Sequence, residues 1–189
     1  MELKADYEDQ NVLFINQNVD APHGGRVDRW FQGYGLPGDV YLPITMVDSG
    51  NDVSSGEIDF IDVYSEMVDT SLEREPNALM TVTSVRQDNL LRFDARITNT
   101  SGATLSAAND ATLTALVYQE PSNPSSVPVI YAAATAPITT LADGATGNYT
   151  LEVLVGNPDP ERTRWVVIAD YRPETSDSAY DTLQAVMGQ

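Results

Sequence analysis

The side chains that could do chemistry are few. The chain contains no cysteine among its 189 residues. That removes a thiol nucleophile, a CxxC redox pair, a disulfide framework and a cysteine zinc site. His23 is the single histidine, in the turn Pro22-His23-Gly24-Gly25. One imidazole cannot build a histidine-rich metal centre, and its position in a Gly/Pro turn reads as a solvent-exposed loop residue. Two oxygen-rich loops remain, Asp48, Asn51 and Asp52, and Asn157-Pro158-Asp159-Pro160-Glu161. Calcium takes six to eight oxygen ligands, so such clusters meet a minimum requirement. Neither has the EF-hand spacing, and Asp and Asn populate turns for backbone reasons alone. A calcium-stabilised surface domain is a third-ranked reading on these loops.

Carboxylate pairs such as Asp59/Asp62 and Glu73/Glu75 carry no signal in a chain with 28 acidic residues. Acid–base work on a glycoside needs two carboxylates at a defined separation across a cleft, which spacing in sequence does not supply. The sequons Asn99-Thr100-Ser101 and Asn148-Tyr149-Thr150 read as coincidence. Trp30, Phe31, Tyr34 and Tyr41 could form an aromatic platform for sugar or peptide, with core packing the expected use. Gly33, Gly35 and Gly38 follow a helical pattern rather than opening one, so they form no phosphate loop. The expected set of catalytic, cofactor-binding and metal-ligating residues is therefore empty, and no cofactor is expected.

The formal net charge is −18, with one lysine, Lys4, and nine arginines. Such a field repels phosphate backbones and anionic membrane surfaces, so neither is an expected partner. A well-solvated, non-aggregating surface is the plain reading. Hydrophobic residues make up 42%, enough for a packed core. No apolar run approaches the roughly 18 residues needed to cross a bilayer. The acidic start, Met1 to Asp9, has no apolar segment and does not read as a secretory signal; a chain whose signal had been removed would read the same.

The elements that must position these residues fall into two styles. Residues 1–10 read as a polar, mobile or weakly docked lead-in. Asn11 to Asn18 is continuously apolar at its centre, Val12-Leu13-Phe14-Ile15, as a strand covered on both faces would be. Val27, Trp30, Phe31 and Tyr34 share one helix face. Val40 to Val47 is a second apolar run, Asp48 to Asn51 a turn, and Val53 starts a short hairpin partner. Ile58 to Leu72 is the strongest helical pattern, with Ile61, Tyr64, Val68 and Leu72 on one stripe. Pro76 stops its continuation.

After Pro76 the period changes from 3.6 to 2. Leu91, Phe93, Ala95 and Ile97 alternate with Arg92, Asp94, Arg96 and Thr98, which predicts a strand with one wet face. Strands are expected at Leu79 to Val85, Ala111 to Tyr118, Val129 to Ala134, Pro137 to Leu141, Asn148 to Val155 and Trp165 to Tyr171, with turn signals between them. Tyr180 to Met187 fits either a helical turn or a last strand. Six or seven short strands in this pattern predict an antiparallel β-sandwich.

The first 75 or so residues resemble the C-terminal half of a thioredoxin fold. The positions that carry the resemblance are Val12–Asp20, the helix through Trp30 and Tyr34, Leu42-Pro43-Ile44-Thr45, the Asp48-Ser49-Gly50 turn and the helix from Ile58 to Leu72. The join to an Ig-like sandwich, with Thr98 to Leu105 in its first turn, is similar to extracytoplasmic thioredoxin-like proteins of the Omp28-related type. The resemblance implies a cis peptide before Pro43, although that proline has no thiols to face. It also implies that the family's first strand, first helix and CxxC-bearing helix, which should precede Asn11, are missing. A sheet cut in this way exposes an edge and an apolar face, which other protein must cover.

The expectation is thus an α+β chain with a truncated thioredoxin-like unit over 1–76 and an Ig-like sandwich over 77–189. Its expected function is that of a non-catalytic, extracytoplasmic binding or structural module for an unknown protein or small-molecule ligand. Its expected covering partner is a second copy or its own other half. The competing class is part of a thiol–disulfide oxidoreductase whose CxxC half lies upstream or on a partner.

Overall fold

A computed structural model describes residues 2–17, 44–55, 60–123, 125–174 and 180–189. His23, Trp30, Phe31, Tyr34, Tyr41, the Leu42–Pro43 bond, Gly33, Gly35, Gly38 and Asp59 lie outside the described residues.

The described chain runs α1 (Glu2–Asp6), β1 (Ile44–Val47), β2 (Asp52–Ser55), α2 (Phe60–Leu72), β3 (Ala78–Gln87), β4 (Leu90–Asn99), β5 (Leu105–Ser106), β6 (Thr112–Gln119), β7 (Ile130–Pro137), β8 (Thr140–Leu141), β9 (Thr146–Leu154), β10 (Thr163–Tyr171) and β11 (Asp181–Gly188). From β3 onward the strands build two antiparallel sheets. One is ordered β3-β4-β9 and the other β11-β10-β6-β7. Period-2 alternation decides their facing. Phe93, Ile97, Leu151 and Val153 from the first sheet meet Leu113, Val117, Val167 and Leu183 from the second in one buried cluster. Phe93 meets the edge of Trp165, ring centroids 5.2 Å apart and planes at 67°, a favoured aromatic geometry. Gly188 is opposite Trp165 on β11, and a Cβ there would lie 2.2 Å from the indole, so this position excludes a side chain. The region from β3 onward is a sandwich of two sheets, in agreement with the period-2 reading. The Tyr180 to Met187 segment resolves to a strand. The expected strand from Pro137 to Leu141 is split, because Pro137 ends β7 and only Thr140–Leu141 pairs again, with Leu105–Ser106.

The corner after β4 is held by Asn99, a fully buried amide. Its Nδ2 donates to Ala103 O at 2.7 Å and Leu141 O at 2.9 Å, and its Oδ1 accepts from Ser101 N and Ser101 Oγ. Its buried polar atoms are thereby satisfied, and the first sequon is a structural corner.

The N-terminal part differs from its sequence reading in two places. Residues 1–10 read as a loose lead-in, but Glu2–Asp6 is a helical turn that docks. Leu3 and Tyr7, four apart and so on one helix face, are both buried against Val68 of α2. The Tyr7 hydroxyl donates to Asp69 Oδ1 at 2.7 Å and to Ser65 O at 3.2 Å. Lys4 Nζ reaches Ser126 O of the sandwich at 3.0 Å.

Val12 to Ile15 is the second difference. These residues join no strand; only Asn16 forms a bridge, parallel to Val129. The segment is nonetheless sandwiched. Val12 and Phe14 pack toward the small cluster of Leu3, Tyr7 and Val68, while Leu13 and Ile15 pack toward Leu116, Ile130 and Val166 on the outer face of the four-stranded sheet. The continuous apolar run therefore reports burial from two sides, and the backbone pairing it suggested is reduced to the bonds Asn16 N to Pro128 O and Ile130 N to Asn16 O. The expected apolar runs around residue 44 do form a hairpin, with Val47 opposite Asp52.

Candidate functional site

Two places gather side chains with chemical potential. The first is the junction between the β1–β2 hairpin and the end of the sandwich. The turn Asp48-Ser49-Gly50 takes three successive positive φ values, 48°, 63° and 96°. Two of these residues are not glycine, a conformation that costs about 1–3 kcal/mol each and must be imposed by surroundings. Arg74, just past α2, imposes it. Its Nη1 lies 3.0 Å from Asp48 Oδ2 and its Nη2 2.5 Å from Asp181 Oδ1 of β11. Ser71 Oγ donates to the same Asp48 oxygen at 2.5 Å, and the buried Ser49 hydroxyl lies 2.8 Å from Thr182 Oγ1.

The electrostatics of this junction are uneven. Burial holds the Asp181 carboxyl above its ordinary range; Arg74 pulls the other way, while the charges of Asp48 and Asp170 add to the rise. Burial also works against the Arg74 cation, and the bond and charges of Asp181 and Asp48 outweigh it. The fork between two carboxylates is the geometry of a structural ion pair. Its groups are bound to one another, leaving no open position for a reacting atom.

The second place is the outer face of β3-β4-β9. The register sets alternate residues in rows across the three strands: Leu79–Thr98–Thr146, Thr81–Arg96–Asn148, Thr83–Asp94–Thr150, Val85–Arg92–Glu152 and Gln87–Leu90–Leu154. The middle of the face is a shallow polar hollow lined by Thr81, Thr83, Asp94, Arg96, Asn148 and Thr150. Arg92 binds Asp94 at 3.0 Å, and Thr150 donates to Asp94 Oδ1 at 2.7 Å. These bonds, that from Arg92 first, hold the Asp94 carboxyl below its ordinary range and so charged. Arg96 has no ion-pair or hydrogen-bond partner among the described residues. The apolar ends are wet: Leu79 is 64% exposed, Val85 50% and Leu154 71%.

The remaining sequence candidates are placed as follows. Asp48 is held by Arg74, whereas Asp52 caps its own neighbour, its Oδ1 accepting from Val53 N. In the second oxygen-rich loop Asp159 Oδ1 accepts from Glu161 N, and Asp159 O accepts from Thr163 Oγ1, so the loop satisfies itself as a turn. Among the described residues no three His, Asp or Glu side chains converge on a point that could hold a metal. Asp62, Glu73 and Glu75 are separately exposed. Asn148 is exposed in the polar hollow. Sequence reasoning had placed Arg92, Asp94 and Arg96 on a wet face without giving them a role. The signal available was their alternation with Leu91, Phe93, Ala95 and Ile97. It did not reveal the threonines and Asn148 beside them, which come from neighbouring strands by register alone.

No family model matches the chain, and no curated protein is similar to it in sequence. Among the described residues no helix is long and apolar enough to cross a membrane.

Proposed function

We propose that the chain is a non-catalytic binding or structural module of an extracytoplasmic surface, and that it works through the outer face of β3-β4-β9. One observation carries this reading. The sandwich has two outer faces; the chain's own N-terminal segment covers part of one, and no described residue lies over the other, which is mixed in polarity with a shallow polar hollow at its middle. A wet sheet face holding Leu79, Val85 and Leu154 is a contact surface in search of an occupant. The chemistry of that face supports contact over catalysis. It holds threonines, an asparagine and two arginines, and its central carboxylate is fixed in the charged form. Its one hydroxyl–carboxylate contact, Thr150 to Asp94, involves a carboxylate that Arg92 holds below its ordinary range and so makes a weaker base.

The strand order, three strands facing four, supports an Ig-like description of the sandwich. The extracytoplasmic setting is drawn from the resemblance of residues 1–76 to the rear of a thioredoxin-like unit; of the elements that carry it, the described structure has the Asp48-Ser49-Gly50 turn and α2 but no strand at Val12–Ile15, and β1 pairs only with β2. With no cysteine, thiol–disulfide exchange would need thiols from another chain.

The test is hydroxyl-radical footprinting of the full chain, on its native surface and purified at low concentration. Leu79, Val85 and Leu154 are expected to be labelled in dilute solution and protected on the native surface. Equal labelling in both settings overturns the proposal. Alongside it, insulin reduction by dithiothreitol is expected to run at the uncatalysed rate; acceleration by this chain overturns the non-catalytic part.

A further inference from the structure

We infer that the occupant of the open face is a second copy of this chain, seated face to face with its β4 antiparallel to the first. The inference rests on the proposal that this face is the contact surface, and it adds the partner.

Charge selects the partner first. The chain carries a net charge of −18, so two copies repel at most approaches. On this face, however, Arg92 and Arg96 stand against Asp94 and Glu152. The patch is neutral, and beyond a Debye length of about 8 Å the remaining charge is screened at physiological salt. It is a place where like chains can meet without placing net negative charge against net negative charge.

Pattern selects the register second. Turn a copy over about an axis lying in the face, perpendicular to the strands, between the Asp94 and Arg96 rows. Each strand then faces its own counterpart with rows reversed. Asp94 meets the partner copy's Arg96 position, and Arg96 meets its Asp94 position. Val85 falls on Leu79, both exposed large apolar side chains among the described residues. Thr83 falls on Thr81 and Thr150 on Asn148, pairs that can exchange hydrogen bonds. A shift by half a row spacing, centring the axis on Asp94, would set Asp94 on itself and Arg92 on Arg96. A two-fold axis along the strands would set Arg96 on Arg96. Both alternatives stack like charges, which costs association and specifies against them. Asp94 can serve two cations at once, because a carboxylate offers about four acceptor sites.

Size sets the strength. Four of the five rows overlap in this register, about 20 Å by about 14 Å on each copy, below the size of stable interfaces; the Gln87–Leu90–Leu154 row lies beyond the overlap. The association is therefore weak and concentration-dependent.

Sedimentation equilibrium of the full chain tests this. The mass is expected to climb from the 20.6 kDa monomer toward twice that value with concentration. Arg96→Glu sets two acids together, and Asp94→Lys sets two cations together. Each alone is expected to weaken association about tenfold or more; the melting temperature of Arg96→Glu is expected to stay unchanged because that side chain is exposed, whereas Asp94→Lys also loses the bonds to Arg92 and Thr150 and a small drop is expected. An equimolar mixture of the two variants is expected to recover association, since each chain supplies the charge the other has lost. Val85→Thr, which changes no charge, is expected to give a few-fold loss. A wild-type chain that stays monomeric up to about 1 mM, beyond the range of weak specific contacts, overturns the second-copy inference. In that case footprint protection would still stand on its own and point to a different occupant. A dimer that is indifferent to both charge substitutions, or two variants that fail to complement, overturns the placement on this face.

Discussion

The two sheets of the sandwich meet water differently. On β6 every residue from Leu113 to Tyr118 is buried, because Leu116 points away from the core and under Leu13 and Ile15. On β4 burial alternates strictly from Leu91 to Ile97, because nothing of the described chain lies over Arg92, Asp94 and Arg96. The same antiparallel strand can thus present a continuous or an alternating apolar pattern, according to whether its second face is covered. The covered face is where the N-terminal part is attached; over the other no described residue lies.

Substitutions can break this contrast or sharpen it. The largest effect is expected beneath the cover. Leu116→Ala removes a fully buried side chain and should cost about 3 kcal/mol in denaturant unfolding. A loss under about 1 kcal/mol would mean that the N-terminal segment does not seal that face. Next comes the junction. Arg74→Leu leaves Asp48 and the largely buried Asp181 without their cation; about 2 kcal/mol is expected, the partial exposure of the pair reducing the full cost of a broken buried ion pair. Amide exchange should quicken first in the β1–β2 hairpin, whose turn is held in its left-handed conformation by that side chain. Uniform acceleration across β3 to β11 would count against a local latch.

The two regions should also titrate in opposite senses. Asp181 binds its proton more tightly in the folded state. Its contribution to stability is present below the ordinary carboxylate range and is lost as pH rises through the elevated value. Asp181→Asn is expected to flatten that part of the curve of melting temperature against pH. Asp94 behaves in reverse: its contribution is present above the ordinary range and lost as pH falls through its lowered value. The sign of each slope in single variants checks the assignment. The smallest effect belongs to the open face itself. Leu79→Thr and Leu154→Thr should shift unfolding by less than about 0.5 kcal/mol, since both side chains are already mostly in water; a larger loss would mean the face is covered in the isolated chain.

Much of the sandwich was legible because period-2 alternation is a local record of a global fact. Phe93 and Ile97 point inward because their neighbours Arg92, Asp94 and Arg96 cannot. The helix from Phe60 to Leu72 was legible for the same reason, at a period of 3.6. Val12 to Ile15 misled, since a continuous apolar run records two covered sides without saying whether a strand or a packed, unpaired segment lies between them. Residues 1–10 misled by composition: five of the first nine are charged, and two apolar side chains four apart were enough to dock the turn.

The sequence by itself determined where the chain alternates, where it turns and which chemistry it lacks, because those depend on residue type and near-neighbour spacing. Only the tertiary structure decided that Arg74 bridges Asp48 and Asp181, 26 and 107 residues away. It alone placed Thr81, Arg96 and Asn148 in one row and laid Leu13 and Ile15 over one sheet while no described residue covers the outer face of the other. Those facts depend on register and packing between distant segments, and no local pattern in the chain encodes them.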